Sequence, residues 1–401
     1  MGYNRLMANT NGNSEMRYYP EGFFDGPSSR HVVLGTSYAD EIWALNQALD
    51  RGFVTNSELD DPVVEDRVIA MMGMRNGMRS TYFVEMPHEW VLPQERGKRM
   101  MEMFREEVEL PDGRRIELAD YLLETNSAVS IALSTLDQPT AEVVRYLNDK
   151  EVPVVGWVVL GDGEGYWTNA SSVEASQQKV VAIDEWLEEY NLDIVTLGFD
   201  LELPLSLVAS VSQRQVVDAI KAWFEYRGSI KGNRLEGTDP QTRFEMILKA
   251  TQNMGYRQEF YTFPRRFRWL MNPGVTPPVG AREIEMVYSS DLPVMPLGLG
   301  VDALLSPGAI PAIGIINGVE GQTPGRDFGR LLYPSDPNAS RPINHLGPDE
   351  ILRDIRALMG KRVDFAANHC TLGELYVFAL NAPKVAFMVN DALDEAFKEL
   401  L

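Results

Sequence analysis

The stretch "VTLGFDLELPL", residues 195–205, reads as a buried β-strand that ends in acid. Side chains alternate across a strand, so Gly198, Asp200 and Glu202 share one face while Phe199 and Leu201 share the other. Pro204 cannot continue a central strand and marks its end. The apolar pair suits a layer of helices. The two acids are therefore predicted to point into the mouth of a barrel, at the C-terminal strand ends where barrel active sites lie.

Working outward, short apolar runs alternate with longer helical patterns. The runs are "HVVLGTSY" (31–38), "STYFVEMP" (80–87), "AVSIALST" (128–135), "VPVVGWVVL" (152–160), "DIVTLGFDLE" (193–202), "QEFYTFP" (258–264), "EIEMVYSS" (283–290) and "AIPAIGIING" (309–318). Between them, segments such as "PTAEVVRYLNDKE" and "SSVEASQQKVVAIDEWLEEYN" space apolar residues as a helix does. Eight such runs with helical insertions predict a single-domain (β/α)8 barrel of the TIM type with long βα loops, spanning 30–401. Residues 1–29, rich in Asn, Gly, Ser, Tyr and Pro, are predicted to be an irregular arm. A doubly wound open sheet is the alternative, but no G-x-G-x-x-G follows the first run.

Composition narrows the chemistry. The 401 residues carry 37 Lys+Arg against 58 Asp+Glu, a net charge of −21, which disfavours nucleic acid and anionic lipid as partners. One cysteine and four histidines make Cys- or His-based metal sites improbable, so no cofactor or metal is expected and catalysis falls to carboxylates. No apolar run approaches the roughly 18 residues of a membrane span. The N-terminus lacks a basic-then-apolar leader; a cytoplasmic location is the default expectation, an extracellular one if a leader is removed.

Two carboxylates on one strand face repel, raising one pKa. The expected division is a protonated Glu202 acting as general acid beside a charged Asp200. That pair suits glycosidic cleavage, where the leaving oxygen needs a proton and the transition state is cationic. "FDLELP" (199–204) is similar to the end of the strand motif of chitinase-type glycoside hydrolases, family 18, which finishes D-x-E. The resemblance implies Glu202 as the acid/base and Asp200 as the partner that positions the substrate's acetamido nucleophile. That family's two upstream aspartates fall at Val195 and Gly198, its aromatic residue falls at Leu201, and its acid sits on the fourth strand whereas the count here makes it the fifth.

Other strand ends supply supporting groups. "VLGDGEGYWTN" (159–169) brings Asp162 and Glu164 as candidates for a second carboxylate, and Tyr166, Trp167 and Asn169 as a sugar platform; the alternative is a turn whose aromatics pack back on the barrel. Asp137 is a candidate substrate contact or a helix cap. Tyr261 and Tyr288 end the sixth and seventh runs and could hold a sugar hydroxyl, or simply pack. Arg265, Arg266 and Arg268 could clamp an anion, or pair with nearby acids. Three functions stay open: a carboxylate glycosidase, a metal-dependent phosphodiesterase or lyase holding its ion with Asp200, Glu202 and Asp162 or Glu85, and a barrel that binds a glycan without cleaving it. The sugar, the linkage and the oligomeric state are not specified by the sequence.

Overall fold

The computed structural model describes residues 3–10, 13–20, 44–49, 52–85, 95–110, 112–161, 164–204, 221, 223–228, 230, 239–265, 273–287, 305–306, 309–314, 348–360, 363–364, 369–370, 372–378, 380 and 382–400. Eight parallel strands close a barrel in the order β3 (Arg79–Val84), β6 (Ser127–Ala132), β7 (Val154–Val158), β8 (Thr196–Leu201), β9 (Arg257–Thr262), β10 (Arg282–Met286), β11 (Ile310–Gly314) and β14 (Glu374–Phe378). The last pairs with the first, Glu374 opposite Arg79, while β4 (Glu107–Glu109) with β5 (Arg115–Glu117) and β12 (Val363–Asp364) with β13 (His369–Cys370) form separate antiparallel pairs. The fold class is the (β/α)8 barrel that the apolar runs predict.

Two expectations change. The first run, 31–38, lies outside the described residues, and the strand that completes the barrel is β14, "ELYVF". The "VTLGFDLE" strand is consequently the fourth of the barrel, not the fifth. Within the arm, β1 (Tyr3–Thr10) and β2 (Asn13–Pro20) form an antiparallel hairpin with Tyr3 opposite Pro20, where irregular chain was expected.

Helices Gln138–Asp149 and Val173–Tyr190 join β6 to β7 and β7 to β8, and Pro240–Asn253 leads into β9. Their starts follow from local chemistry. Asp137 and Asp239 accept hydrogen bonds from Thr140 N and Thr242 N, and a proline within the first turn forgoes a donor that has no helical acceptor. On β8, Phe199 turns outward and meets Phe244 of the Pro240–Asn253 helix and Phe260 of β9. The barrel interior is filled by Phe83, Trp157, Val159, Tyr261, Ile284, Met286, Ala312 and Tyr376. That outward Phe199 places Gly198 and Asp200 inside.

By compactness the chain divides into two units. The barrel unit comprises 79–357 and 374–389; the other comprises 1–78, 358–373 and 390–401. In the second unit, the Pro62–Gly77 helix sends Arg75 to Asp394 at 2.8 Å and to Asn390 at 2.8 Å.

Candidate active site

Asp200 lies on the penultimate residue of β8, with 3% of its surface exposed. It is hydrogen-bonded to Glu202, and the charge of Glu85, at the end of β3, also reaches it. Glu85 is buried; Glu202 is half-buried and lies nearer solvent. The three carboxylates thus gather at the C-terminal mouth of the barrel. Burial pushes the Asp200 carboxyl well above its ordinary range, and the neighbouring charges of Glu202 and then Glu85 push it further. Of the two, Asp200 is the more deeply buried, and the deeper group pays more for charge.

Two polar atoms near this end lack partners. Asp200 Oδ1 is buried without a hydrogen bond, and so is Trp157 Nε1, whose residue stands opposite Gly198 across the β7–β8 pair. One is an acceptor and the other a donor.

The loop after β7 runs back along the end of β8: Thr168 N donates to the Asp200 carbonyl at 2.9 Å, and Thr168 pairs with Leu201. Tyr166, at φ +62°, packs against the interior cluster and meets Trp167 edge-on at 5.3 Å. Trp167 is buried. Asn169 is spent on the turn, accepting from Ser171 N at 2.9 Å and donating to the Trp167 carbonyl at 3.2 Å. Glu164 is exposed and accepts from Gly161 N at 3.1 Å. Asp162 and Tyr288 lie outside the described residues, as do Arg266 and Arg268.

Asp137 caps its helix, its carboxylate 2.9 Å from Thr140 N. Tyr261 does not offer its hydroxyl to the mouth. The side chain is fully buried, and the hydroxyl bonds Ser130 Oγ at 2.8 Å and Glu259 Oε1 at 2.6 Å. The ring occupies the space in front of Gly198, where any Cβ would overlap it. Arg265 pairs with Glu283 at 3.2 Å, and its backbone N–H meets Glu285 at 3.2 Å, so it serves local acids.

Sequence reasoning missed the network beneath. Glu259 accepts from Tyr376 at 2.7 Å and from Arg282 Nε at 3.2 Å, and Arg282 also pairs with Glu374. Its partners lie up to 117 positions apart, and no local spacing announces them. A cavity of about 430 Å³ opens at this N-terminal end, lined by Arg79, Arg257, Arg282, Glu259, Glu374 and Tyr376 among others. It is the opposite end from the three carboxylates, and barrel chemistry belongs to the C-terminal end. Among the described residues, no group of three His, Cys, Asp or Glu side chains is arranged to hold a metal ion, and no helix is long and apolar enough to cross a membrane.

No protein-family model matches the chain, and no curated protein matches it. A solved structure described as a GH18 chitinase from Pseudoalteromonas aurantia aligns over 80% of this chain and 100% of its own, at 10% identity and a TM-score of 0.40.

Proposed function

We propose that the protein hydrolyses a glycosidic bond, with Glu202 as proton donor and Asp200 as the residue that supplies and steadies its proton. The observation that carries this reading is the hydrogen-bonded Asp200–Glu202 pair at the C-terminal end of the fourth barrel strand. The fourth strand is also where the chitinase-type resemblance expects its acid.

In this reading the Asp200 proton crosses the hydrogen bond to Glu202, which faces the mouth. Glu202 then protonates the leaving oxygen as the bond from the anomeric carbon to that oxygen breaks. Asp200, now ionised, sits beside a transition state that is cationic at the sugar ring, and the lost proton is replaced from solvent after water or the substrate's acetamido oxygen attacks. The buried negative charge that costs free energy in the empty site becomes a favourable one against that cation. A second carboxylate, if one acts, comes from Glu85, Asp162 or Glu164.

One observation favours a second reading, a barrel that binds a glycan without cleaving it. Gly198 stands where the family has an aspartate, and the Tyr261 ring fills the space its side chain needs. The deciding experiment measures turnover of chromogenic glycosides and natural glycans by wild type and Glu202→Gln, with and without EDTA. The expected result is hydrolysis indifferent to EDTA and lowered about 10²–10⁴-fold in kcat/KM by the substitution. Turnover abolished by EDTA would move the assignment to a metal-dependent enzyme. Glycan binding with no turnover in either protein would establish the binding barrel.

A further inference from the structure

In a chain of net charge −21, the C-terminal face of the barrel holds two cations that form no salt bridge among the described residues. Arg96 begins the Arg96–Phe104 helix; its Nη1 donates to Ser134 Oγ at 2.6 Å and to Thr135 Oγ1 at 3.1 Å. Its Nε is buried with no acceptor. Lys179, in the second turn of the Val173–Tyr190 helix, donates from Nζ to the Ser134 carbonyl at 3.0 Å. Both cations therefore converge on one residue just beyond the end of β6. Burial lowers the Lys179 ammonium to about 8, while the charge of Glu164 acts the other way.

Among the described residues these features have one physical sense: positive charge short of negative partners, with Glu164 the acid whose charge reaches Lys179. A lysine depressed by burial recovers when an anion arrives, and an arginine with an idle Nε has a donor to spare. The Ser134 and Thr135 hydroxyls accept from Arg96, which leaves each O–H proton free to donate to an incoming oxygen. Leu133 N bonds the Trp157 carbonyl at 2.9 Å, and Trp157 stands opposite Gly198, so Ser134 lies near the level of Asp200. It is two strands away in the barrel order, about 10 Å at a spacing of roughly 4.8 Å per strand. An oligosaccharide held at the acids spans that distance.

We propose that Arg96, Lys179 and the hydroxyls of Ser134 and Thr135 form an anion subsite on the face that carries Asp200 and Glu202, and that the substrate is an acidic glycan whose carboxylate or sulfate docks there. The proposal rests on the carbohydrate reading above and names the class of carbohydrate. A planar guanidinium beside a compact ammonium suits a carboxylate or a sulfate equally, so both belong in the test.

The test titrates the Glu202→Gln protein, which holds substrate without turning it over, with oligogalacturonate, with a sulfated uronate-free galactan oligosaccharide, and with neutral chitohexaose. The same titrations follow in Glu202→Gln carrying Arg96→Gln and Lys179→Gln together, and in Glu202→Gln carrying Lys179→Gln alone, in case the former folds poorly. The expected result is at least tenfold tighter binding of one or both acidic glycans than of the neutral one, with that preference reduced by Lys179→Gln and abolished by the pair while the melting temperature holds. Preference for oligogalacturonate alone assigns the subsite to uronates, and for the galactan alone to sulfates. Equal affinity for all three, no binding of any, or a preference untouched by the substitutions would overturn the proposal. Wild-type turnover separates the two readings. Cleavage of neutral glycans with acidic ones ignored leaves the hydrolase and removes the subsite. Acidic glycans bound through Arg96 and Lys179 but never cleaved leave the subsite and remove the hydrolase.

Discussion

Two carboxylates sit inside the same barrel and live by opposite rules. Glu259, toward the N-terminal end, accepts hydrogen bonds from Tyr261 at 2.6 Å, Tyr376 at 2.7 Å and Arg282 at 3.2 Å. Asp200, toward the C-terminal end, has one oxygen without a partner and faces two further acids. Both are buried, at 1% and 3% exposure. Burial of an acid is tolerable where donors surround it and costly where they do not. The lower network is satisfied by its own donors, whereas the upper cluster carries the kind of unrelieved cost that gathers at functional sites.

The largest expected effect tests the lower half of that contrast. Glu259→Ala takes one carboxylate from Arg282, which keeps Glu374 and the Tyr376 hydroxyl, and removes the buried acceptor that Tyr261 and Tyr376 share, which should cost about 3–5 kcal/mol in urea denaturation. A loss below about 1 kcal/mol would show that the network contributes little. Asp200→Asn should act with the opposite sign. The folded carboxyl titrates well above its unfolded value, so the folded chain holds a proton that the unfolded chain has released between those two values. Wild-type stability should therefore fall as pH rises from the unfolded value toward the folded one, by at most about 1.4 kcal/mol per pH unit from this group. The asparagine variant should lack that slope, be the more stable protein at neutral pH, and be the poorer catalyst. A variant less stable than wild type at pH 7 would break the comparison. The smallest effect concerns Asp137, whose carboxylate caps a helix: Asp137→Ala should cost about 1 kcal/mol in thermal unfolding and leave kcat/KM where it was.

How much of this was readable beforehand follows from the range of each interaction. The D-x-E face of β8 was legible because strand alternation is a two-residue rule, and Phe199 meeting Phe244 and Phe260 follows from the same rule. Seven of the barrel's strands overlap apolar runs picked out from the sequence. The eighth, "ELYVF", was passed over because a run of five between helical patterns is ambiguous by periodicity. Asp137 was ambiguous between a cap and a contact, since an Asp before Gln-Pro-Thr suits either. Sequence shows that two acids are close but not which is deeper, and it is Asp200 that is the more buried. The burial of Tyr261 depends on Gly198 of the neighbouring strand, whose missing side chain lets the ring lie inward, and a place at a strand end says nothing of that.

Barrel closure has a consequence for how the chain is made. The seam joins β14 to β3, with Phe378 opposite Phe83, so residues near position 80 wait for partners almost three hundred positions later. During synthesis at about 5–20 residues per second, β3 emerges with one neighbour still missing for many seconds, its edge open to other chains. The parallel pairing that finally seals the ring has high sequence separation and is intrinsically slow to form. Growth of the chain on the ribosome, rather than the equilibrium strength of the finished ring, is then the stage at which this protein is most exposed to aggregation.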